Sequence, residues 1–443
     1  MLELPTLQEP RYVCPGEDYS ISRAVHLSRL AAFYPKCREC EHRHDTSQLP
    51  QLTIDKIDAS SRRAERPTLF TDQGVRGIYL NELTATRAGE MAGAFASLLW
   101  EATPLTLKPT ETAPAAPRLH KRLGPQVVIG HDERPSSPDL VTGVAKTLRR
   151  MGCQVIDIGL ASRPCFWFAV DHLQAAAGIH VTGSGCNPAW TGLDFVMAGA
   201  VPVEGDHLLT AINERYQAGY QRPLRQSAGQ RTFQALPVYE PGFLKHFHAL
   251  RPLKVCVGCA NRPVRDLLGR LFQKLACRLI PVAIPVRERS LLDPDDADNL
   301  RLRQAVVREG AHLGMLIDDD GQTCAVWDER GAMVPPRRLT LLLAETLLAE
   351  SRQAHIVLEA PAFKELLRPI DRRDGFCVEA GPGLWGISQM MRETNAVFAG
   401  GDSGRYWFRE ATPTCDAILT LAKLLQALSR SDTEFSEVMA ALQ

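Results

Sequence analysis

From about residue 68 onward, short apolar segments alternate with longer segments whose apolar residues recur at helical spacing. Segments such as VVIG, VIDIG, KVCVG and LGMLI have the length of buried strands, and several are followed by polar turns. This alternation predicts an α/β fold with mostly parallel sheets and helices on both faces. Ligands of such sheets bind at the carboxyl ends of the strands, which makes the loops after the strands the candidate site. A polar stretch at 217–231 lacks apolar periodicity and is predicted to be a linker.

Length, charge and cysteine content limit the class of protein. The 443-residue chain is long enough for about two to four domains, and it carries 51 basic and 51 acidic residues. The lack of a basic excess argues against nucleic acid or an anionic membrane as a partner. No apolar run is long enough to span a bilayer, and the acidic N-terminus is unlike a signal peptide. Twelve cysteines scattered through apolar segments favour buried thiols in a cytoplasmic protein.

The N-terminal segment carries thiols and imidazoles at a spacing found in metal sites. Cys37 and Cys40 are separated by two residues, so both thiolates could grip one Zn²⁺ from a tight turn. Cys14 and either His42 or His44 could complete a tetrahedron, which predicts a structural zinc site. The alternative is a polar surface turn whose thiols are close by chance, because the segment has one Cys-x-x-Cys rather than two.

A serine between two glycines follows one of the predicted strands. The strand-like run ends at Thr182 and continues as Gly183, Ser184 and Gly185. Such a serine has accessible backbone N–H groups on either side, an arrangement that suits a hydroxyl placed where an anion can be held. The alternative is a glycine-rich turn without chemistry.

Three consecutive carboxylates follow another predicted strand. Asp318, Asp319 and Asp320 come directly before a turn at Gly321. Clustered carboxylates at a strand end suit a hard cation such as Mg²⁺, so the sequence predicts a magnesium site there. Acidic turn residues that simply face water are the alternative.

These loops resemble, in their order along the chain, those of the α-D-phosphohexomutases, the phosphoglucomutase/phosphomannomutase family. The family's serine loop reads T-A-S-H-N-P, whereas TGSGCNP at 182–188 is one residue longer and lacks the histidine. The family's metal loop reads G-x-x-x-D-G-D-A-D-R, and its first two aspartates are kept as Asp318 and Asp320. Its third aspartate is replaced by Gln322 and the following arginine by Thr323.

Three further loops extend the resemblance. The family's opening F-G-T-D-G-I-R-G is similar to FTDQGVRG here, which keeps Arg76. Its G-R-D-T-R-x-S-S is similar to GHDERPSS, which keeps Arg134. Its sugar-binding loop, G-G-E-x-S-G-H, is shortened by one residue to GGDSGR, which contains Asp402, Ser403 and Arg405.

The resemblance implies three tandem phosphohexomutase-type α/β domains behind a small N-terminal Cys/His segment. The segment is expected at 1–65, and the domains carrying the serine, metal and sugar loops at 66–232, 233–332 and 333–443. The family's fourth domain carries R-x-S-G-T-E-P, which clamps the phosphate of the substrate. That motif does not occur in this sequence, so the fourth domain is expected to be absent.

The resemblance also implies phosphoryl transfer within a hexose phosphate, with phosphoserine and Mg²⁺. The roles it assigns are phosphoryl transfer by Ser184, Arg76 and Arg134, magnesium binding by Asp318, Asp320 and Gln322 together with Ser184, and sugar binding by Asp402, Ser403 and Arg405. Glutamine offers one neutral oxygen in place of a carboxylate, so the magnesium site is expected to be weak. Two functions stay open: a divergent phosphohexomutase, or an impaired relative that binds a sugar phosphate or has a structural role. The identity of the sugar and the oligomeric state also stay open.

Overall fold

The computed structural model describes residues 11–34, 36–37, 40–46, 49–61, 68–102, 124–205, 208–223, 226–381, 383–410 and 414–442. The N-terminal segment contains a small antiparallel ribbon and two helices. These elements are β1 (Arg11–Val13), β2 (Ser20–Ser22), α1 (Arg23–Ala31) and α2 (Gln51–Ser61).

The first large sheet has the strand order β10-β6-β5-β7-β8-β4-β3, with β9 added beside β8. Its strands are β3 (Phe70–Thr71), β4 (Gly74–Ile78), β5 (Gln126–His131), β6 (Gln154–Leu160), β7 (Ala177–Val181), β8 (Trp190–Met197), β9 (Val201–Pro202) and β10 (Gln230–Thr232). The accompanying helices are α3 (Ala85–Ala102), α4 (Ser137–Arg150), α5 (Arg163–His172), α6 (Leu208–Ala218), α7 (Leu236–Tyr239) and α8 (Pro241–Leu244). The end of the predicted linker therefore forms β10, an edge strand of this sheet.

The second and third sheets follow the same plan on a smaller scale. The second has the order β12-β11-β13-β14-β15, and the third has the order β17-β16-β18-β19. The second unit contains β11 (Lys254–Cys259), α9 (Arg262–Phe272), β12 (Arg278–Val282), α10 (Ala297–Glu309), β13 (Leu313–Ile317), β14 (Cys324–Asp328) and β15 (Met333–Val334). The third contains α11 (Pro336–Leu348), β16 (His355–Glu359), α12 (Ala360–Asp371), β17 (Phe376–Ala380), α13 (Gly383–Thr394), β18 (Phe398–Gly400), β19 (Trp407–Phe408), α14 (Ala417–Leu428) and α15 (Phe435–Ala441).

The predicted α/β fold is confirmed, and its sheets are mixed. Each sheet has a parallel centre, in which strands alternate with helices, and an antiparallel flank. In the first sheet β5, β6 and β7 are parallel, but β7 and β8 run antiparallel because only the loop at 182–189 joins them. A parallel pair would need a crossover of a dozen or more residues, so this short connection fixes the direction of β8.

One hydrophobic core connects the three sheets. It includes Val128 of the first sheet, Val255 and Ile317 of the second, and Ile356 and Phe398 of the third, all nearly inaccessible to solvent. Burial of apolar surface on this scale holds the units against one another, which brings the loops at the carboxyl ends of their strands together. Among the described helices, none is long and apolar enough to cross a membrane.

Candidate active site

The serine loop, residues 182–189, makes direct contact with the acidic loop, residues 318–323. Ser184 is half-buried, and its Oγ donates a hydrogen bond to Oδ1 of Asp319 over 3.0 Å. The backbone N–H of Gly185 donates to the same oxygen over 2.9 Å. Ser184 thus contacts the residue between the two predicted magnesium ligands, Asp318 and Asp320.

Arg134 connects the serine loop with the acidic loop. Its Nη2 is 3.0 Å from Oδ2 of Asp319, and its guanidinium also donates to the carbonyl oxygens of Cys186, Asn187 and Trp190. The side chain is only 3% exposed, so its charge is poorly screened by water. Together, Ser184 Oγ, Gly185 N–H and Arg134 make three donors around one carboxylate.

The two predicted magnesium aspartates are each engaged by an arginine. Asp318 Oδ1 accepts from Arg289 Nη1 over 2.6 Å, and Asp320 Oδ2 is 3.5 Å from Arg405 Nη2. Burial and the neighbouring carboxylates raise the pKa of Asp318 to about 7, against the opposing effect of Arg289. Asp320 also accepts from Thr323 Oγ1 and from the backbone N–H groups of Gln322 and Thr323. Burial acts to raise the pKa of Asp320, but Arg405, Arg163 and Thr323 hold it below its usual range.

Gln322, the third predicted magnesium ligand, is fully buried where the three units meet. Its Oε1 accepts from Arg163 Nη1 over 3.2 Å, and its Nε2 donates to Thr414 Oγ1 over 3.0 Å. Arg163 stands at the start of α5, which Ser162 caps by accepting from the N–H of Cys165. The amide thus bridges the first and third units.

Arg76 lies on β4 and forms a buried ion pair within the first sheet. Its Nη1 is 2.7 Å from Asp194 Oδ1 on β8, and the other oxygen of Asp194 is 2.5 Å from Arg163 Nη2. Asp194 is buried. Burial acts to raise its pKa, but the two arginines hold the pKa below its usual range. Burial lowers the pKa of the neighbouring His180 to about 4, so this histidine is neutral at pH 7. The structure places Arg76 against Asp194 rather than on the Ser184 hydroxyl.

The predicted sugar loop is held by the third unit and reaches the acidic loop. Arg337 donates to both oxygens of Asp402, over 2.6 and 2.7 Å, and the carboxylate of Glu359 accepts from the N–H and hydroxyl of Ser403. Arg405 extends away from both and donates through Nε to Thr323 Oγ1 over 2.9 Å. Arg405 therefore connects the sugar loop with the acidic loop.

Several residues at this junction carry no sequence signal of their own. Asp319 belongs to the acidic triplet but replaces a glycine of the family's loop, so the motif assigns it no role. Arg163 and Arg289 lie outside every motif. Arg163 reaches the acidic loop from the first unit, whereas Arg289 reaches it from 29 positions earlier in the second unit. Glu359 and Arg337 position the sugar loop and are likewise missed.

The N-terminal thiols are buried, but zinc binding receives no support. Cys14 accepts from Nη1 of Arg29 over 3.0 Å, and burial, with Cys14 and Cys40 nearby, raises the pKa of Cys37 to about 11. His42 lies 3.6 Å from Glu41 and packs edge-on against Tyr12. Within the described part of the chain, which includes His44, no group of three His, Cys, Asp or Glu side chains is arranged to hold a metal ion. All twelve cysteines are free thiols.

Comparison with known proteins extends the resemblance to most of the chain. The family profiles for phosphoglucomutase/phosphomannomutase α/β/α domains I and III match residues 110–223 and 335–443. A phosphomannomutase/phosphoglucomutase of Pseudomonas aeruginosa is 30% identical over 327 residues, covering 72% of this chain and 69% of that protein. The phosphohexose mutases of Xanthomonas campestris are 27% identical over 323 residues, covering 71% and 72%.

A solved structure agrees at the level of the fold. The phosphoglucomutase/phosphomannomutase family protein of Burkholderia thailandensis superposes with a TM-score of 0.72 at 24% identity, covering 85% of this chain and 79% of that one. The relatives support a function of the phosphomannomutase/phosphoglucomutase type. The chain belongs to the phosphoglucomutase/phosphomannomutase family, the α-D-phosphohexomutases.

Proposed function

We propose that this protein acts on a hexose phosphate and that the hydroxyl of Ser184 carries the phosphoryl group. The observation that supports this most directly is the set of three donors around Asp319: Ser184 Oγ–H, Gly185 N–H and Arg134 Nη2–H. An anion held by a backbone N–H and a guanidinium beside a hydroxyl is the environment that a phosphoserine needs. The carboxylate of Asp319 stands where phosphoryl oxygens would lie.

The same contacts supply a route for the proton. When Ser184 attacks a sugar bisphosphate, the Oγ–phosphorus bond forms and the bond from phosphorus to the sugar oxygen breaks. The hydroxyl proton passes to Oδ1 of Asp319, which is already within hydrogen-bond distance. The leaving sugar oxygen takes one proton from solvent, and Asp319 later releases its proton to solvent, so the protons balance. Arg134 and Gly185 N–H then hold the transferred phosphoryl group, because protonated Asp319 is neutral and is a weaker acceptor than the phosphoryl oxygens.

Binding of the sugar is assigned to the loop at 400–405. Asp402 and Ser403 are held rigidly by Arg337 and Glu359, so their remaining acceptor and donor capacity is presented in a fixed geometry. Arg405 contacts Thr323 and therefore couples the sugar loop to the acidic loop. The serine loop and the sugar loop both contact the acidic loop, which supports transfer by proximity.

Magnesium does not fit the acidic loop as its side chains are arranged. Both oxygens of Asp320 accept from residues of the loop itself, Asp318 accepts from Arg289, and the Gln322 oxygen accepts from Arg163. A hard cation needs oxygens that converge on one point with free lone pairs. No step of the proposed reaction is therefore routed through the metal.

One observation favours a second function, the binding of a sugar phosphate without turnover. The Asp319 carboxylate fills the anion position beside Ser184, and like charges at that distance repel. A protein in which Asp319 keeps this position would still bind sugar phosphate through the loop at 400–405. It would not accept a phosphoryl group on Ser184.

The deciding experiment is phosphorylation of the purified chain by glucose 1,6-bisphosphate, followed by intact-mass and peptide analysis. We expect one added phosphoryl group on Ser184, none in Ser184→Ala, and slower addition in Asp319→Asn, which keeps the shape but loses the base. A coupled assay with glucose 1-phosphate or mannose 1-phosphate should show turnover that Ser184→Ala abolishes. Sugar-phosphate binding with neither phosphorylation nor turnover would instead establish that the protein binds the ligand without transferring its phosphoryl group.

A further inference from the structure

We propose that guanidinium groups of the protein take the place of a divalent cation in the acidic loop, which is therefore built to work without metal. This proposal goes beyond the proposed phosphoryl transfer and does not depend on it. Its basis is that each of the three acidic-loop residues which the family resemblance assigns to the metal is bound by an arginine. Arg289 binds Asp318, Arg405 binds Asp320 and Arg163 binds Gln322.

Charge balance is the first argument. The loop carries three carboxylates, and each has one guanidinium in direct contact: Arg289 at Asp318, Arg134 at Asp319 and Arg405 at Asp320. A magnesium ion would compete with these guanidinium groups for the same carboxylates, and displacing one of them would leave its charge with one partner fewer. Because burial of a charge without its partner is strongly unfavourable, the attraction of the loop for the ion is reduced.

The fixed position of Arg289 is the second argument. Its side chain is 1% exposed, and it contacts Asp318 through Nη1, the carbonyl of Pro285 through Nη2 and the fully buried Asp298 through Nε. Every side of this guanidinium is thus engaged, and a surface arginine that meets a carboxylate by chance is not held in this way. The Arg289 guanidinium is therefore a fixed part of the fold.

The use of the oxygen lone pairs is the third argument. Oδ1 of Asp320 accepts from two backbone N–H groups, and Oδ2 accepts from Thr323 Oγ1 over 2.6 Å and faces Arg405. The amide of Gln322 is oriented by Arg163 on one side and Thr414 on the other. Ligation of a metal would break several of these hydrogen bonds, each of which stabilises a buried group.

Metal binding by the full-length chain, without sugar, tests the proposal. The probe is Mn²⁺, followed by electron paramagnetic resonance, with thermal unfolding measured in chelator and in Mn²⁺. We expect the wild type to give no stoichiometric Mn²⁺ signal and the same melting temperature in both solutions. A stoichiometric signal that disappears in Asp318→Asn or Asp320→Asn would overturn the proposal.

Arg289→Gln supplies a signature that a merely structural arginine would not give. Loss of the Arg289 guanidinium leaves the negative charge of Asp318 without its partner. We therefore expect Mn²⁺ binding to appear and to raise the melting temperature of this variant. Arg289→Lys keeps the charge and should behave like the wild type. Arg287→Gln is the matched control, because Arg287 also binds Asp298 but does not touch Asp318.

Two further outcomes complete the test. If Arg289→Gln gains no Mn²⁺ binding and resembles Arg287→Gln, the proposal is wrong. If Arg289→Gln does not fold, Arg405→Gln applies the same test at Asp320, because Arg405 is 21% exposed and less embedded. None of these measurements uses turnover, so they remain decisive whether or not Ser184 is phosphorylated.

Discussion

At the scale of single residues, the two glycines beside Ser184 are required for different reasons. Gly185 has a φ of +77°, in the left-handed region, and a Cβ there would meet open space. Gly183 lies outside that region, but a Cβ would come within 2.4 Å of the Trp190 carbonyl oxygen and 2.8 Å of Arg134 Nε. Gly183 therefore makes room for Arg134, and Gly185 allows the turn.

Substitutions distinguish backbone strain at Gly185 from crowding at Gly183. Gly185→Ala is expected to lower stability by about 1–2 kcal/mol through backbone strain, and Gly185→Asn by less, because asparagine tolerates the left-handed region. Gly183→Ala and Gly183→Asn should both cost about 1–3 kcal/mol through crowding, with no relief from asparagine. Urea denaturation measures all four variants. Equal relief by asparagine at both positions would contradict this assignment.

The position of Ser184 could be predicted from its neighbours, but its partner could not. A serine between glycines after an apolar run is a local pattern, readable in a few adjacent residues. The contact with Asp319 joins residues 135 positions apart and depends on how two separate sheets pack. Sequence periodicity carries no information about such packing, and for the same reason the contact of Arg163 with Gln322 could not be predicted.

At the scale of elements, the strands that deliver the loops were predictable, whereas the direction of their neighbours was not. The apolar run before Asp318 is β13, and the run before Thr182 is β7, as their composition indicates. Both are buried on two faces, and such strands look alike in parallel and antiparallel pairs. The antiparallel flank depends on short connections, so the expectation of mostly parallel sheets gave way to mixed ones.

The amide of Gln322 links three elements, and its removal should loosen their junction. Gln322→Met keeps the volume but leaves Arg163 Nη1 and Thr414 Oγ1 without this partner, so we expect a loss of about 1–3 kcal/mol for each buried group left unpaired. Gln273→Met, at an exposed glutamine after α9, is the control and should change stability by less than about 0.5 kcal/mol. Chemical denaturation distinguishes them. A neutral Gln322→Met would remove the argument that this amide holds the units together.

At the scale of the whole molecule, buried histidines limit stability in acid. His246 lies where the segment after α8 meets α14, 3.3 Å from Glu410, which also pairs with Lys423. Burial, reinforced by Lys423, lowers the pKa of His246 to about 4, although Glu410 opposes this. An unfolded histidine titrates near 6.5, so the unfolded chain takes up the proton first as the pH falls.

The resulting pH dependence has a definite sign. Stability from His246 is fully present above about pH 6.5 and is lost as the pH falls from there toward 4. We expect His246→Gln to reduce this loss by about 1–2 kcal/mol, a figure that allows for the solvent around the ring. Urea midpoints measured from pH 7 to pH 4 provide the test, with the exposed His355→Gln as the control. Identical acid slopes in His246→Gln and the wild type would refute the assignment.

The order of the motifs along the chain is also a property of the whole molecule, and it allowed the family to be predicted. Loops that resemble those of the phosphohexomutases occur in sequence order, and the three sheets follow in the same order. What the order could not give is the set of side chains at the junction, because these arise where the units face one another. The family was therefore predictable from the chain, and the arginine-bound acidic loop was not.

The contact between the serine loop and the acidic loop also has a consequence for folding kinetics. Every strand pair of the three sheets lies within one unit, whereas Arg134 and Asp319 belong to different units and are 185 positions apart. Contacts of such high sequence separation are entropically costly to close before the local structure exists. The sheets should therefore form first and the loops dock last. A sugar phosphate added during refolding would then accelerate only this final docking step.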